Sequence, residues 1–172
     1  GPIGGITQYP GTGKSIAVSI SPLTGSVVDS NVGGYYGPLL KFSGMDAIEV
    51  QGIAQEEVII FVDGNEGVIQ IIAAPHESVN SNELAEEVVA LWGNTLAEKQ
   101  GISSVSAGLG AEHTLIGCLN FSFYDPRRQL TRLKQAGRGG IGTVLRKKKV
   151  KALVVKYEGV SGDSNHPEDL AS

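Results

Sequence analysis

The sequence predicts an α+β domain, and three observations carry that expectation. Several short segments alternate apolar and polar residues with the period of a strand. One segment has helical spacing, Glu83–Gln100. No regular strand–helix–strand alternation links them. Mixed or antiparallel sheets with one long helix and glycine-rich loops follow. Glycine supports this: 24 of 172 residues is about twice the usual ~7%, favouring turns and close backbone approaches over a helical bundle. At this length the chain forms one domain with a real core, expected over residues 1–156, followed by a polar tail or linker over 157–172.

Along the chain, Ile16, Val18 and Ile20 alternate with small or polar residues, which gives a strand. Ser21-Pro22-Leu23-Thr24-Gly25 is a turn, and Asp29 to Pro38 (DSNVGGYYGP) reads as a glycine-rich loop. Ala47–Ile53 reads as a strand. Val58–Val62 and Val68–Ile72 flank the turn residues Asp63-Gly64-Asn65-Glu66-Gly67 and form a hairpin. Asn80 with Glu83 three residues on marks a helix start, and Gly101 marks its stop. Leu84, Val88, Leu91 and Trp92 line one face of that helix, with Leu96 close by, and Trp92 reads as core. Ile102–Ala107 and Thr114–Phe123 read as strands, Arg128–Lys134 as a helical turn or short helix, and Val150–Lys156 as a buried strand.

Charge is distributed unevenly. Residues 1–126 carry three basic and fourteen acidic side chains, whereas residues 127–172 carry eleven basic and four acidic ones. From Arg127 to Lys156 there is no acid at all, so this block needs an anionic partner, an acidic neighbouring surface, or solvent. The single cysteine, Cys118, excludes an internal disulfide and a cysteine-ligated cluster made by this chain alone, and its apolar neighbours suggest a buried thiol. No apolar run reaches the ~18 residues of a membrane helix, and no signal peptide is visible, so a cytoplasmic location is the expectation. The chain opens on Gly1-Pro2 rather than Met, which suggests that an upstream stretch is removed, replaced or encoded elsewhere.

Three motifs invite a nucleotide or nucleic-acid reading. Pro10-Gly11-Thr12-Gly13-Lys14-Ser15 resembles the end of a phosphate-binding loop, but Gln8 stands where the first glycine belongs. A strand, not a helix, follows it, so ATP chemistry is rejected here. Gly137, Gly139 and Gly142 form a G-x-G-x-x-G, yet a basic stretch precedes it and no acid follows at the expected place, leaving a weak dinucleotide signal. Phe121, Phe123 and Tyr124 before the basic block superficially resemble a stacking platform. They lie in an apolar strand and no nucleic-acid reader motif accompanies them, so no nucleic-acid partner is expected.

The order of motifs is more specific than any one of them. GPIGG at residues 1–5, SPLTG at 21–25, DSNVGGYYGP at 29–38, LKFSGMDAI at 40–48 and AGRGGIGTV at 136–144, running into KVKAL at 149–153, closely resemble the N-terminal domain of the tungsten-containing aldehyde:ferredoxin oxidoreductases. The resemblance covers about residues 1–156. It implies a base for a tungsten (or molybdenum) bis-molybdopterin whose two phosphates are bridged by magnesium. By resemblance, the cofactor-binding positions are Lys14, Asn31, Gly33, Lys134, Gln135, Gly137 and Arg138. The backbone carbonyls of Asn31 and Gln135 are the implied magnesium ligands. Lys14 and Lys134 stand where the family has arginines, which keeps charge and loses the bidentate fork.

The implied reaction is oxidation of an aldehyde to a carboxylic acid, with electrons reaching ferredoxin through an iron–sulfur cluster. The family's [4Fe–4S] cysteines and proposed catalytic residues have no counterpart in these 172 residues. The chain alone is therefore expected to be inactive, to lack a catalytic residue of its own, and to work with further oxidoreductase domains or an iron–sulfur subunit. A homodimer is compatible with the sequence. The alternative is a degenerate or stand-alone domain that binds pterin, or only a partner chain, without catalysis.

Overall fold

The structure, a computed structural model, describes residues 4–5, 11–75 and 78–158. The expected tail falls mostly outside this range. Among the described residues, eight strands and four short α-helices alternate irregularly in an α+β arrangement. Six strands form one mixed sheet in the order β4 (Val68–Ala73), β3 (Val58–Asp63), β8 (Val150–Lys156), β5 (Ile102–Ser106), β6 (Leu119–Asp125) and β7 (Leu130–Ala136). Only β3 and β8 run parallel; every other neighbouring pair is antiparallel. Separately, β1 (Ser15–Ile20) and β2 (Val27–Val32) form a two-stranded antiparallel hairpin.

The central strands explain the two-layered core. In β8, Ala152 and Val154 face one side of the sheet and Val155 the other, so the strand is buried on both faces and reads as a nearly continuous apolar run. On one side Ile59, Phe61, Ile102 and Val154 pack against Leu84, Val88 and Val89 of α2 (Ser81–Trp92). On the other, Val62, Val105, Leu119 and Phe121 pack against Tyr36, Leu39 and Leu40 of α1 (Tyr36–Phe42) and Leu145 of α4 (Ile141–Lys147). Each such fully buried side chain contributes about 1.5–3 kcal/mol relative to exposure.

Several expectations are corrected. The single helix Glu83–Gln100 is two: α2 ends at Trp92 and α3 (Leu96–Gln100) begins afresh after Thr95. Gly93 sits between them in extended backbone, while Thr95 and Glu98 form a full reciprocal capping box. Asn80 does cap α2, its side chain accepting from the N–H groups of Asn82 and Glu83, at 2.9 and 3.0 Å. The break turns Leu91 and Leu96 outward, and both are exposed, whereas Trp92 stacks on Phe61 with ring centroids 4.6 Å apart. Arg128–Lys134 is not helical. A turn over 126–129 ends with Gln129 in the left-handed region (φ 55) and feeds β7, which hairpins onto β6.

Of Thr114–Phe123, only Leu119 onward is strand. Residues 114–118 instead wrap the start of α4, where Thr143 Oγ1 donates to the Thr114 carbonyl and accepts from the Gly117 N–H, both at 3.0 Å. Asp29–Val32 belongs to β2 rather than to a loop, and a short helix, α1, begins at Tyr36. Ala47–Ile53 is not a strand: it pairs with no strand among the described residues, and Gly52 turns in the left-handed region at φ 74. Cys118 is half-buried rather than fully enclosed.

Much of the basic block is absorbed by the fold itself. Arg146 is almost wholly buried and forms ion pairs with both Glu57 and Glu112. Lys148 donates to the Gly52 carbonyl at 3.0 Å, Lys149 to that of Gln55, and Lys151 to that of Pro75. Lys156 pairs with Glu98 and Glu158, and Arg128 and Arg132 with Asp125. The acidic surface that the block calls for is therefore partly the protein's own.

Candidate functional site

The site forms where the β1–β2 hairpin meets the end of β7. Antiparallel pairing of Ser15 with Val32 places Lys14, just before β1, beside Gly33, just after β2. Gly33 is the point of convergence. A Cβ there would lie 3.9 Å from Lys14 Nζ and 3.8 Å from Lys134 Nζ. Gly34 follows with φ 125, a conformation that favours glycine, and lets the chain turn into α1.

Alternation along β2 turns Ser30 inward and leaves Asp29 and Asn31 on the outer face. Ser30 Oγ accepts a hydrogen bond from the Arg138 backbone N–H at 3.1 Å, joining two segments separated by 108 residues. Asp29, Ser30, Asn31, Gln135, Gly137 and Arg138 then line one hollow of about 420 Å³. All seven sequence-predicted positions thus gather at one place: Asn31, Gln135, Gly137 and Arg138 around the hollow, and Lys14, Gly33 and Lys134 where the two amines meet. Asn31 and Gln135, the two residues with implied metal-binding carbonyls, stand on opposite strands of that hollow.

The electrostatics differ from the rest of the basic block. Among the described residues neither Lys14, Lys134 nor Arg138 pairs with an acid, and all three are exposed. Lys134 Nζ lies 5.9 Å from the centroid of the Phe123 ring, which carries no competing charge. The one carboxylate in the hollow, Asp29, accepts from Asn31 Nδ2 at 3.3 Å. Gln135 Nε2 donates to Asn120 Oδ1 at 3.3 Å, and Asn120 Nδ2 donates to Ser81 Oγ at 3.0 Å, so a polar chain runs from the hollow to the first turn of α2.

Sequence reasoning did not single out Ser30, Asp29, Asn120 or Phe123 for the site. A hydroxyl at an inward-facing strand position, as in Ser30, was the signal available.

The local backbone decides between the competing motifs. The GTGKS segment turns at Gly11 (φ 86) and enters strand β1 at Ser15, so no helix presents its N–H groups to a phosphate there. The second glycine motif lies between β7 and α4, with Gly139 and Gly140 both left-handed at φ 73 and 68. Its flanking strands β7 and β8 are not neighbours and run in opposite directions, unlike the parallel strands of a dinucleotide-binding unit. No described helix is long and apolar enough to cross a membrane. Among the described residues no three His, Cys, Asp or Glu side chains are grouped to hold a metal.

Residues 1–157 match the family model described as aldehyde ferredoxin oxidoreductase, N-terminal domain. The chain is 31% identical over 160 residues to the tungsten-containing aldehyde ferredoxin oxidoreductase of Pyrococcus furiosus and 30% identical to that of Pyrococcus horikoshii. Each match covers 91% of this chain and 23% of the relative, so the chain spans about a quarter of the length of these relatives. Among solved structures, it resembles a chain of the active-site complex BamBC of benzoyl coenzyme A reductase in complex with 1,5-dienoyl-CoA. The TM-score is 0.69 at 23% identity, covering 92% of this chain and 21% of that one, a likeness of fold.

Proposed function

The chain belongs to the aldehyde ferredoxin oxidoreductase N-terminal domain family, and from that premise we propose that residues 1–156 are the cofactor-binding domain of an aldehyde oxidoreductase. The ligand would be a tungsten, or molybdenum, bis-molybdopterin, with magnesium to neutralise its phosphates. One observation carries this reading: among the described residues three cations without acidic partners, Lys14, Lys134 and Arg138, lie in or beside a hollow lined by Asp29, Ser30, Asn31, Gln135, Gly137 and Arg138. Elsewhere in the same basic block, carboxylates or carbonyls occupy most of the cations.

The residues fit such a group. Absence of a side chain at Gly33 leaves room between the two amines, where a Cβ would sit within 4 Å of both. Lys14, Lys134 and Arg138 supply positive charge for phosphate oxygens, and Arg138 alone offers a planar fork. The main-chain carbonyls of Asn31 and Gln135, both residues of the hollow, would be the oxygen ligands that a hard cation takes. Ser30, through its bond to the Arg138 N–H, fixes the spacing of the two walls.

When bound, the metal centre supplies two-electron oxidation of an aldehyde and water to a carboxylic acid, with release of two protons. This chain's part is to bind, orient and neutralise. An iron–sulfur cluster in another domain or subunit would pass the electrons to ferredoxin, with the enzyme placed in the cytoplasm on this reading. Lysine at positions 14 and 134 favours keeping a second reading, a domain that holds pterin without catalysis, because each gives up a two-pronged contact.

The test is metal analysis and pterin fluorescence on protein purified from its host with its partner chains. Tungsten or molybdenum with pterin is the expected result, and neither in the complete assembly defeats the reading. Cofactor without aldehyde turnover selects the non-catalytic alternative. Residues 1–172 alone are expected to give no turnover with an artificial electron acceptor.

A further inference from the structure

One carboxylate stands among the cations of the hollow. Asp29 lines it together with Asn31, Gln135 and Arg138. Pairing of β2 with β1 sets Val18 opposite Asp29 and Ile16 opposite Asn31, so the cross-strand neighbours of this acid are apolar. Its side chain is exposed and accepts one hydrogen bond, from the neutral amide of Asn31 at 3.3 Å. Among the described residues it forms no ion pair, although Arg138 borders the same hollow. An ionised carboxylate has about four acceptor positions, so most of the capacity of Asp29 is open.

Such a group opposes a phosphate. Carboxylate and phosphate oxygens sharing a hollow of about 420 Å³ repel each other, and the repulsion cancels part of the attraction from Lys14, Lys134 and Arg138. A divalent cation between the two reverses the sign. Magnesium is held by about one or two carboxylates together with phosphate oxygens and water, and Asp29 supplies the carboxylate. A single carboxylate beside three cations is too little to hold that ion by itself, in keeping with the absence of an acidic cluster among the described residues. Cation and phosphate therefore depend on each other here.

We propose that Asp29 is a side-chain ligand, direct or through one water, to a divalent cation in the hollow, and that it makes phosphate binding conditional on that cation. The inference deepens the cofactor reading above and rests on it. The hollow discriminates between two states of one ligand: it disfavours a metal-free phosphate arm and accepts the same arm with magnesium on it. Asp29 determines specificity for that state. The cations supply attraction that is common to both states, and the carboxylate supplies the difference.

Calorimetric titration with inorganic pyrophosphate, in excess magnesium and again in chelator, tests this. The unsubstituted protein should bind about ten-fold or more tighter with magnesium, and by linkage pyrophosphate should tighten magnesium by the same factor. Asp29→Asn should act with opposite signs: metal-free binding tightens about three-fold, and binding in magnesium weakens about ten-fold. Formation of magnesium pyrophosphate in solution is common to both proteins and cancels from the comparison. A background charge would instead let Asp29→Asn tighten binding in both buffers, and that outcome overturns the proposal, as does an unchanged ratio. Asp29→Glu keeps the carboxylate and should restore most of the magnesium dependence; behaviour like that of Asp29→Asn overturns the assigned contact. Unsubstituted protein that binds pyrophosphate equally in both buffers, or in neither, overturns it as well. Because the side chain is exposed, both variants should melt within about 2 °C of the parent, which separates a ligand from a structural residue. Metal and pterin content of the complete assembly reports separately on the cofactor reading, so either can fail alone.

Discussion

Two sets of basic residues lie within thirty positions of each other and do opposite work. Arg146, Lys148, Lys149 and Lys151 are held by carboxylates and carbonyls of the segment 52–57, Pro75 and Glu112, and close the fold around α4. Lys134 and Arg138, with Lys14, meet no acid among the described residues and border a hollow. Composition counts them together. The difference is their neighbours: a cation that has found its anion within the chain contributes to stability, and one that has not remains available to a ligand.

Replacing the most deeply buried of the first set should give the largest effect. Arg146→Met strands Glu57 and Glu112 without their partner and should cost about 3 kcal/mol, lowering the melting temperature by about 6–12 °C. A loss below about 0.5 kcal/mol in urea denaturation would erase the distinction between the sets. Next, Gly142→Ala places a Cβ against the Cys118 carbonyl, backbone that cannot swing aside, and should destabilise by about 1–3 kcal/mol. That result would show that α4 must pack tightly for the cations around it to keep their partners.

Lys134→Ala should behave in the reverse manner. Stability should stay within about 0.5 kcal/mol, while affinity for magnesium pyrophosphate, measured by calorimetry, falls about ten-fold. The same loss is expected for Lys14→Ala, and Lys134→Arg should tighten binding by restoring a fork. A large stability change in the alanine variants would place these lysines with the structural set.

The smallest effect concerns pH. Arg128 holds the Asp125 carboxyl below its ordinary range, and the Thr95 and Asn94 N–H groups do the same for Glu98. Since the folded values are depressed, their stabilisation is present above the unfolded carboxylate range, near pH 4, and is lost as pH falls through the lower folded values. Asp125→Asn and Glu98→Gln should each flatten the acid limb of a stability-versus-pH curve and leave anion binding at pH 7 unchanged.

How much of this was legible in the sequence depended on the range of the interaction. Strands written in their own apolar runs, such as β3, β4 and β8, were readable, as was the cap at Asn80. Family motifs located Asn31, Gly33, Gln135, Gly137 and Arg138 without any geometry. What was not legible were features set by distant neighbours. β7 is a strand because β6 pairs with it, although Arg128–Lys134 alone has no strong preference. Ala47–Ile53 has strand alternation but pairs with no strand among the described residues, so it forms none. The break after Trp92 was written locally, in Gly93 and the Thr95–Glu98 box, and was obscured by apolar spacing that continues across it. Ser30 could be recognised as a tether only once Arg138, 108 residues away, was beside it.

The position of β8 has a consequence in time. It is the last strand of the described chain, yet it lies inside the sheet, parallel to β3 some ninety residues earlier and antiparallel to β5. During synthesis, the two halves of the sheet have no common border until Val150–Lys156 leaves the ribosome, and such non-local closure is slow. Until then Ile59, Ile102 and Phe61 lack the β8 neighbours that cover them in the folded sheet, and exposed apolar strands of this kind favour misassociation. The hollow inherits this schedule, because α4 and its glycine turn are anchored only when β8 is in place.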